Sequence, residues 1–179
     1  VKEKGQGTLV RLRTLPLPYG VVIMGKTITF LVICMVQFYL MVAVGVYLFP
    51  LLGLEPLQAG GKLPLLRGVA LCSGFAAIGF GILLGTVSQT QEQSAPFGAT
   101  SVVILAAIGG VWVPVFAMPS FMQFVSGLSP MNWGLNAFYD VILRNSGLVA
   151  ILPRLVLLLV FFALMVGIAI LYDEKKRAV

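Results

Sequence analysis

Residues 155–172 read LVLLLVFFALMVGIAILY, eighteen positions without a charge. A helix rises ~1.5 Å per residue, so this run reaches ~27 Å, close to the ~30 Å apolar core of a bilayer. Lipid offers the backbone no water, and a helix satisfies its own N–H and C=O groups within one segment. The run therefore reads as a transmembrane helix. The pattern extends outward along the chain. From Lys26 to Tyr172 only Lys26, Glu55, Lys62, Arg67, Glu92, Asp140, Arg144 and Arg154 carry charge, which leaves uncharged stretches at 27–54, 68–91, 93–139 and 155–172.

Composition agrees with that reading. Hydrophobic residues make up 59% and charged residues 10% of the 179 positions, with a mean hydropathy of +1.03. A soluble domain carries about 25% charged residues. The chain is predicted to be an all-α integral membrane bundle with four transmembrane helices, near 27–49, 68–88, 99–117 and 155–172. Pro50 and Gly53 end the first, and residues 50–65, with Gly60-Gly61, form a loop. Residues 89–94 make a polar link before Pro96, and Pro114 lies near the far end of the third span.

Residues 118–147 are too long for a turn and too apolar for an aqueous loop. Met118-Pro119 opens one short segment, with Phe121, Phe124, Val125 and Leu128 on one helical face. Ser129-Pro130 breaks it, and a second segment from Asn132 to Asn145 carries Trp133, Phe138 and Tyr139, with Asp140 and Arg144 at i,i+4. The breakers sit where a re-entrant helical hairpin before the last span needs them. Such a hairpin is tolerated where protein or a water-filled cavity covers it. The competing reading is an interfacial aromatic belt.

An even number of spans puts both termini on one side. That side would hold Lys2, Lys4, Arg11, Arg13, Lys26, Lys175, Lys176 and Arg177, and the other Lys62, Arg67, Arg144 and Arg154. Eight positive charges against four favour cytoplasmic termini. The net charge of +6 is thereby explained without nucleic acid. The chain opens at Val1 with Lys-Glu-Lys-Gly-Gln-Gly-Thr, which is no signal peptide, and further residues upstream are expected.

Several chemistries are disfavoured. The chain has no histidine, which removes Ser–His and Cys–His nucleophile pairs and the usual zinc and haem ligands. Cys34 and Cys72 fall inside apolar runs and read as small buried hydrophobes. The spans hold no mid-membrane ionisable group of the kind that proton-coupled transporters need. No catalytic residue, metal site or cofactor is expected, and energy for any work would arrive from a partner. Residues 20–27, GVVIMGKT, match the P-loop pattern G-x-x-x-x-G-K-[ST]. That motif needs a strand before it and a soluble helix after it. Here prolines precede it and a lipid-length run follows, so Lys26 is read as snorkelling to headgroups.

Ser73, Ala77, Gly81 and Gly85 recur every four residues along the second span. Small residues in such a row let a neighbouring backbone approach, and this face is predicted to meet another helix rather than lipid. Residues 1–18 are basic and amphipathic, with Leu9, Leu12 and Leu15 among Lys2, Lys4, Arg11 and Arg13, and Pro16 and Pro18 close the segment.

Glu3, Gly7-Thr8, Arg11-Leu12 and Pro16, followed by Gly25-Lys26 and a span, resemble the ABC transporter permeases of the type-2 exporter class. Thr86 to Gln93 resembles that family's polar cytoplasmic link. Gly109-Gly110, Pro114 and Met118-Pro119 resemble the end of its fifth helix, and Ser129-Pro130-Met131-Asn132-Trp133 its outer re-entrant pair. The resemblance covers essentially the whole chain. The family has six membrane helices, often with a large external domain after the first, and this chain would hold helices three to six. It implies a permease of the bacterial inner membrane that pairs with a second permease copy and an ABC ATPase subunit.

By that resemblance, residues 1–18 are the coupling segment that docks on the ATPase. Glu3, Arg11 and Arg13 offer ion pairs, Leu9 and Leu12 seat in a groove, and Gly7 and Thr8 belong to the same element. Pro119, Pro130, Trp133, Asp140 and Arg144 mark the outer re-entrant region. The implied function is export driven by ATP hydrolysed in the partner chain. The alternative is a non-transporting membrane anchor or assembly subunit, or an inactive truncated permease.

Overall fold

The computed structural model describes residues 19–57, 60–88 and 90–177, and among these it contains helices, turns and loops but no strand. Helix α1 runs Tyr19–Ala43 and continues through a π-helical turn, Val44–Leu48, into a last turn, Phe49–Leu51. Thr27 and Thr29 donate their hydroxyls to the carbonyls of Ile23 and Gly25 at 2.8 and 2.9 Å, which satisfies both inside an apolar helix. The π-turn has a local cause. The freed carbonyl of Gly45 accepts the Leu57 N–H at 3.0 Å. The Leu57 side chain lies so close that a Cβ on Gly45 would sit 3.1 Å from it. Gly53, at φ +74, then ends the helix, with the Leu54 and Gly53 N–H groups bonded back to Phe49 and Pro50 in a Schellman motif.

Helix α2, Leu63–Val87, begins with Pro64 in its first turn, where no intrahelical N–H is lost. Helix α3, Gln91–Ile108, is capped by the Thr90 hydroxyl, which accepts the Gln93 N–H, and carries Glu92 in its first turn. Two short helices follow, α4 at Ser120–Gly127 and α5 at Pro130–Ile142. Helix α6, Leu148–Arg177, is 30 residues long. It begins ahead of the predicted 155–172 run and takes Pro153 and Arg154 into its opening turns.

Among the described residues three helices are long and apolar enough to cross a membrane: Ile23–Leu51, Gly60–Val87 and Leu148–Lys175. The predicted third span, 99–117, differs. Helix α3 starts earlier and stops at Ile108. Gly109 is pressed against α5, where an added Cβ would lie 2.6 Å from Met131 Cβ. Gly110 takes φ +88, a conformation open to glycine and strained for other residues. Residues 111–114 are irregular, and a short 3-10 turn, Val115–Ala117, leads to α4.

Helix α2 is the centre of the bundle. A third of its most apolar window is buried, against 6% for α1 and 11% for α6. Its most extensive partner is α6. The two approach closely at Gly79, where a Cβ would lie 2.8 Å from the Phe162 ring and 3.2 Å from the Phe162 backbone. The fully packed core sits at one end. Leu66 and Val69 of α2, Ala137 and Val141 of α5, and Ile151 and Leu155 of α6 are buried together, with Phe38, Val42 and Val46 of α1 against them.

Candidate functional site

The packed end gathers Lys62, Arg67, Asp140, Arg144 and Arg154. The Lys62 ammonium donates to the Ile142 carbonyl at 3.3 Å. The Arg67 guanidinium lies 5.3 Å from the centre of the Tyr39 ring. Asp140, on α5, is only 4% exposed. Its carboxylate accepts from Arg144, on its own helix, at 2.7 Å and from Arg154 of α6. Beyond α5, Asn145 takes φ +55 and the Ser146 N–H bonds back to the Asp140 carbonyl at 2.8 Å. The corner between α5 and α6 thus closes around one buried carboxylate.

The other end of α5 carries a second polar knot. The Asn132 amide donates to the Ser126 hydroxyl at 3.0 Å and reaches the Gly109 carbonyl at 3.4 Å. Asn136 in turn donates to the side-chain and backbone oxygens of Asn132, each at 3.0 Å. The Trp133 indole N–H donates to the Gly127 carbonyl at 2.7 Å, and its ring meets Phe161 edge-on at 6.4 Å. These bonds hold the ends of α3 and α4 and the start of α5 in one place.

Its level in the bundle follows from two contacts. A Cβ on Gly134 would lie 3.1 Å from Ser73 Oγ, and Ser73 stands about ten residues, or ~15 Å, into α2. Phe161, which meets Trp133, stands near the midpoint of α6. The turn between α4 and α5 therefore lies level with the middle of α2 and α6. The hydroxyls of Ser73 and Ser129 are buried there without a hydrogen-bond partner.

The residues singled out from the sequence fall into three groups. Glu3, Gly7, Thr8, Leu9, Arg11, Leu12 and Arg13 lie outside the described residues. Pro130, Trp133, Asp140 and Arg144 share α5 or its C-terminal extension, and Pro119 caps α4. Within this chain the small-residue row of α2 is contacted only in part. Ser73 meets Gly134, but Ala77 is exposed, and a Cβ added at Gly81 or Gly85 would meet nothing within 4 Å. Four-residue steps rotate about 40° each around a 3.6-residue helix, so the row winds from α5 out to an open side. The close approaches occur instead at Gly74, against Leu31 and Cys34, and at Gly79.

Arg154, Ser126, Asn132 and Asn136 were not singled out as site residues. A signal for Arg154 was present: a carboxylate in so apolar a chain needs a cation, and Arg154 is the next one along after Arg144. The P-loop look-alike is helical throughout, with Gly25, Lys26 and Thr27 inside α1. Its backbone amides there are ladder donors rather than a phosphate cradle. Among the described residues no cluster of His, Cys, Asp and Glu could hold a metal ion.

A central helix wrapped by apolar neighbours, with charges drawn to one end and polar knots binding short helices between long ones, defines a multi-pass helical membrane protein. The family model for the ABC-2 type transporter matches residues 1–143. The chain belongs to the ABC-2 type transporter family. It is 26% identical over 149 residues to the probable multidrug ABC transporter permease YbhR of Escherichia coli K12, covering 82% of this chain and 38% of that protein. It is 24% identical over 166 residues to the linearmycin resistance permease protein LnrN of Bacillus subtilis 168, covering 92% of this chain and 41% of that protein. The chain thus spans about two fifths of the length of the curated relatives it matches. No solved structure matches it.

Proposed function

We propose that this chain is part of the permease of an ATP-driven exporter in the bacterial inner membrane. It crosses the membrane four times, with α3 as the remaining crossing and α4–α5 as a hairpin that enters from the outer side. The observation that carries this reading is the depth of the α4–α5 turn, level with the middle of α2 and α6 and bonded to the end of α3 through Asn132. Helix α3 contributes ~27 Å of helix from the polar link, and the apolar 111–117 stretch that follows, with Val111, Trp112, Val113 and Phe116 exposed, continues the crossing toward α4. Four crossings put Lys26 and residues 175–177 on the cytoplasmic side and Lys62, Arg67, Arg144 and Arg154 outside, in line with the positive-inside rule.

Residues 1–18 dock on a separate ATPase, and a second permease copy completes the path. The relatives' names refer to a multidrug ABC transporter and to linearmycin resistance, so drugs and antibiotics are the substrate class to test first. Two experiments check the reading. Arg11→Glu with Arg13→Glu is expected to abolish co-purification of the ATPase and substrate-stimulated ATP turnover; unchanged assembly refutes the docking role. A cysteine at Leu143, which is 72% exposed, is expected to react with an impermeant maleimide added to the outside of cells. Reaction only from the cytoplasmic face of inverted vesicles refutes the topology.

A further inference from the structure

Helix α5 is fastened at both ends to helices other than its short partner α4. At its C-terminal end the Asp140 carboxylate is buried, while the guanidiniums that serve it are not: the Arg144 side chain is 61% exposed and that of Arg154 31%. Arg144 belongs to the same end of the chain as Asp140 and moves with it. Arg154 belongs to α6. Separating α5 from α6 would leave a buried carboxylate short of a partner, a state that proteins strongly disfavour. Beside this pair Ala137 and Val141 of α5 are packed without exposure against Ile151 of α6. At the N-terminal end of α5 the Asn132 amide holds the Gly109 carbonyl, and Met131 presses on Gly109 itself. The next residue, Gly110, has the left-handed backbone at which α3 is interrupted.

We propose that α5 is a rigid strut. Asp140 is the positioning residue that makes α5 and α6 one moving body, and displacement of α6 is delivered through α5 and Asn132 to the Gly109-Gly110 end of α3, where the chain bends. This rests on the permease reading for its purpose, but its mechanical content stands apart from transport. An ion pair on a buried carboxylate between two elements acts as a fixed joint rather than a latch, because each opening would take Arg154 from Asp140 and leave the carboxylate with Arg144 alone. The glycine pair, by contrast, can change backbone conformation at little cost. The joint and the hinge therefore lie at opposite ends of the same helix.

The test uses the natural protein in lipid nanodiscs, with Cys34 and Cys72 replaced by alanine and spin labels at Tyr139→Cys on α5 and Leu157→Cys on α6, both exposed positions. Pulsed electron resonance is expected to give one narrow distance, unchanged when the ATPase subunit and nucleotide are added, and a broadened one in Asp140→Asn. A label pair between α5 and α3, at Tyr139→Cys and Val103→Cys, is expected to shift with nucleotide. Because a single substitution could disturb folding, Asp140→Asn with Arg154→Gln removes both charges together. It is expected to keep normal abundance and ATP turnover while transport falls about tenfold, a size typical of lost coupling. Bridging Trp133→Cys and Phe161→Cys with a short bifunctional thiol reagent should restore that transport.

A nucleotide-dependent α5–α6 distance in the protein with Asp140 intact overturns the strut, as does a bridge that halts transport there. Normal transport by the doubly neutral variant also overturns it. If the protein transports nothing under any condition, the permease reading fails, while the label distances still decide the strut on their own.

Discussion

Gly79 and Gly81 lie two residues apart on α2 and have opposite surroundings. At Gly79 the backbone of α6 stands where a side chain would be; at Gly81 nothing lies within 4 Å. Leu66, Val69, Gly74 and Gly79 of α2 meet α1, α5 and α6, whereas Ala77 is exposed and Gly81 faces open space within the chain. Regular spacing of small residues states only that an approach is permitted. Whether one occurs depends on what the neighbour brings, and here the neighbour brings Phe162, whose ring also stacks at 5.2 Å on Phe75.

This contrast can be broken by substitutions at four glycines. The largest effect is expected at Gly79. Gly79→Leu forces α2 and α6 apart at this close contact, and overpacking of this kind costs about 2–3 kcal/mol. The thermal midpoint of the purified protein, read by loss of the monodisperse peak in detergent, should fall accordingly; an unchanged midpoint would mean that the α2–α6 contact is not maintained. Gly134→Leu comes next. Its side chain would meet Ser73 Oγ on the other side of the same helix, displacing the start of α5 at about 1–2 kcal/mol. Loss of the Trp133–Phe161 contact should appear as a change in tryptophan emission. Gly74→Ala has the opposite sign. Its new methyl would make ordinary contacts, 3.4 Å to Leu31 and 3.7 Å to Cys34, and removing a helical glycine gains up to about 1 kcal/mol. A lowered midpoint would show that α1 packs more tightly than the distances state.

The helical class was legible because the bilayer makes a single demand, unbroken apolar length, and residues 27–49 and 155–172 meet it outright. The two short helices were marked by Pro119 and Pro130, which bound them in the structure as in the sequence. The end of α3 is marked in the sequence only by Gly109-Gly110, through the family resemblance, and not by the hydropathy run that sets the 99–117 bounds. Residues 99–117 carry no charge, and the helix stops where Gly110 takes a positive φ beside Gly109, on which Met131 presses from about twenty residues further along the chain. The same holds for the site. The Asp140–Arg144 pair follows from helical spacing, but Arg154 joins it only because α6 begins earlier than its uncharged run. Asn132 stands in the Ser129–Trp133 motif of the family resemblance, but nothing in that motif gives its role, which lies in the carbonyl of Gly109, left without a continuing helix to bond it.

The smallest expected effect decides what the open side of α2 is for. Gly81→Leu adds a large side chain where this chain has empty space, so the isolated protomer should change by less than about 0.5 kcal/mol. If the open side faces lipid in the assembled protein, the leucine is equally harmless there, and activity and oligomeric state remain as they were. If a second permease copy or another helix packs on that side, the same leucine meets a backbone and acts as Gly79→Leu does, lowering assembly while leaving the protomer intact. Measuring both quantities on one variant separates the two cases, because Gly81 and Gly79 share a helix, a depth and a residue type and differ only in what stands opposite.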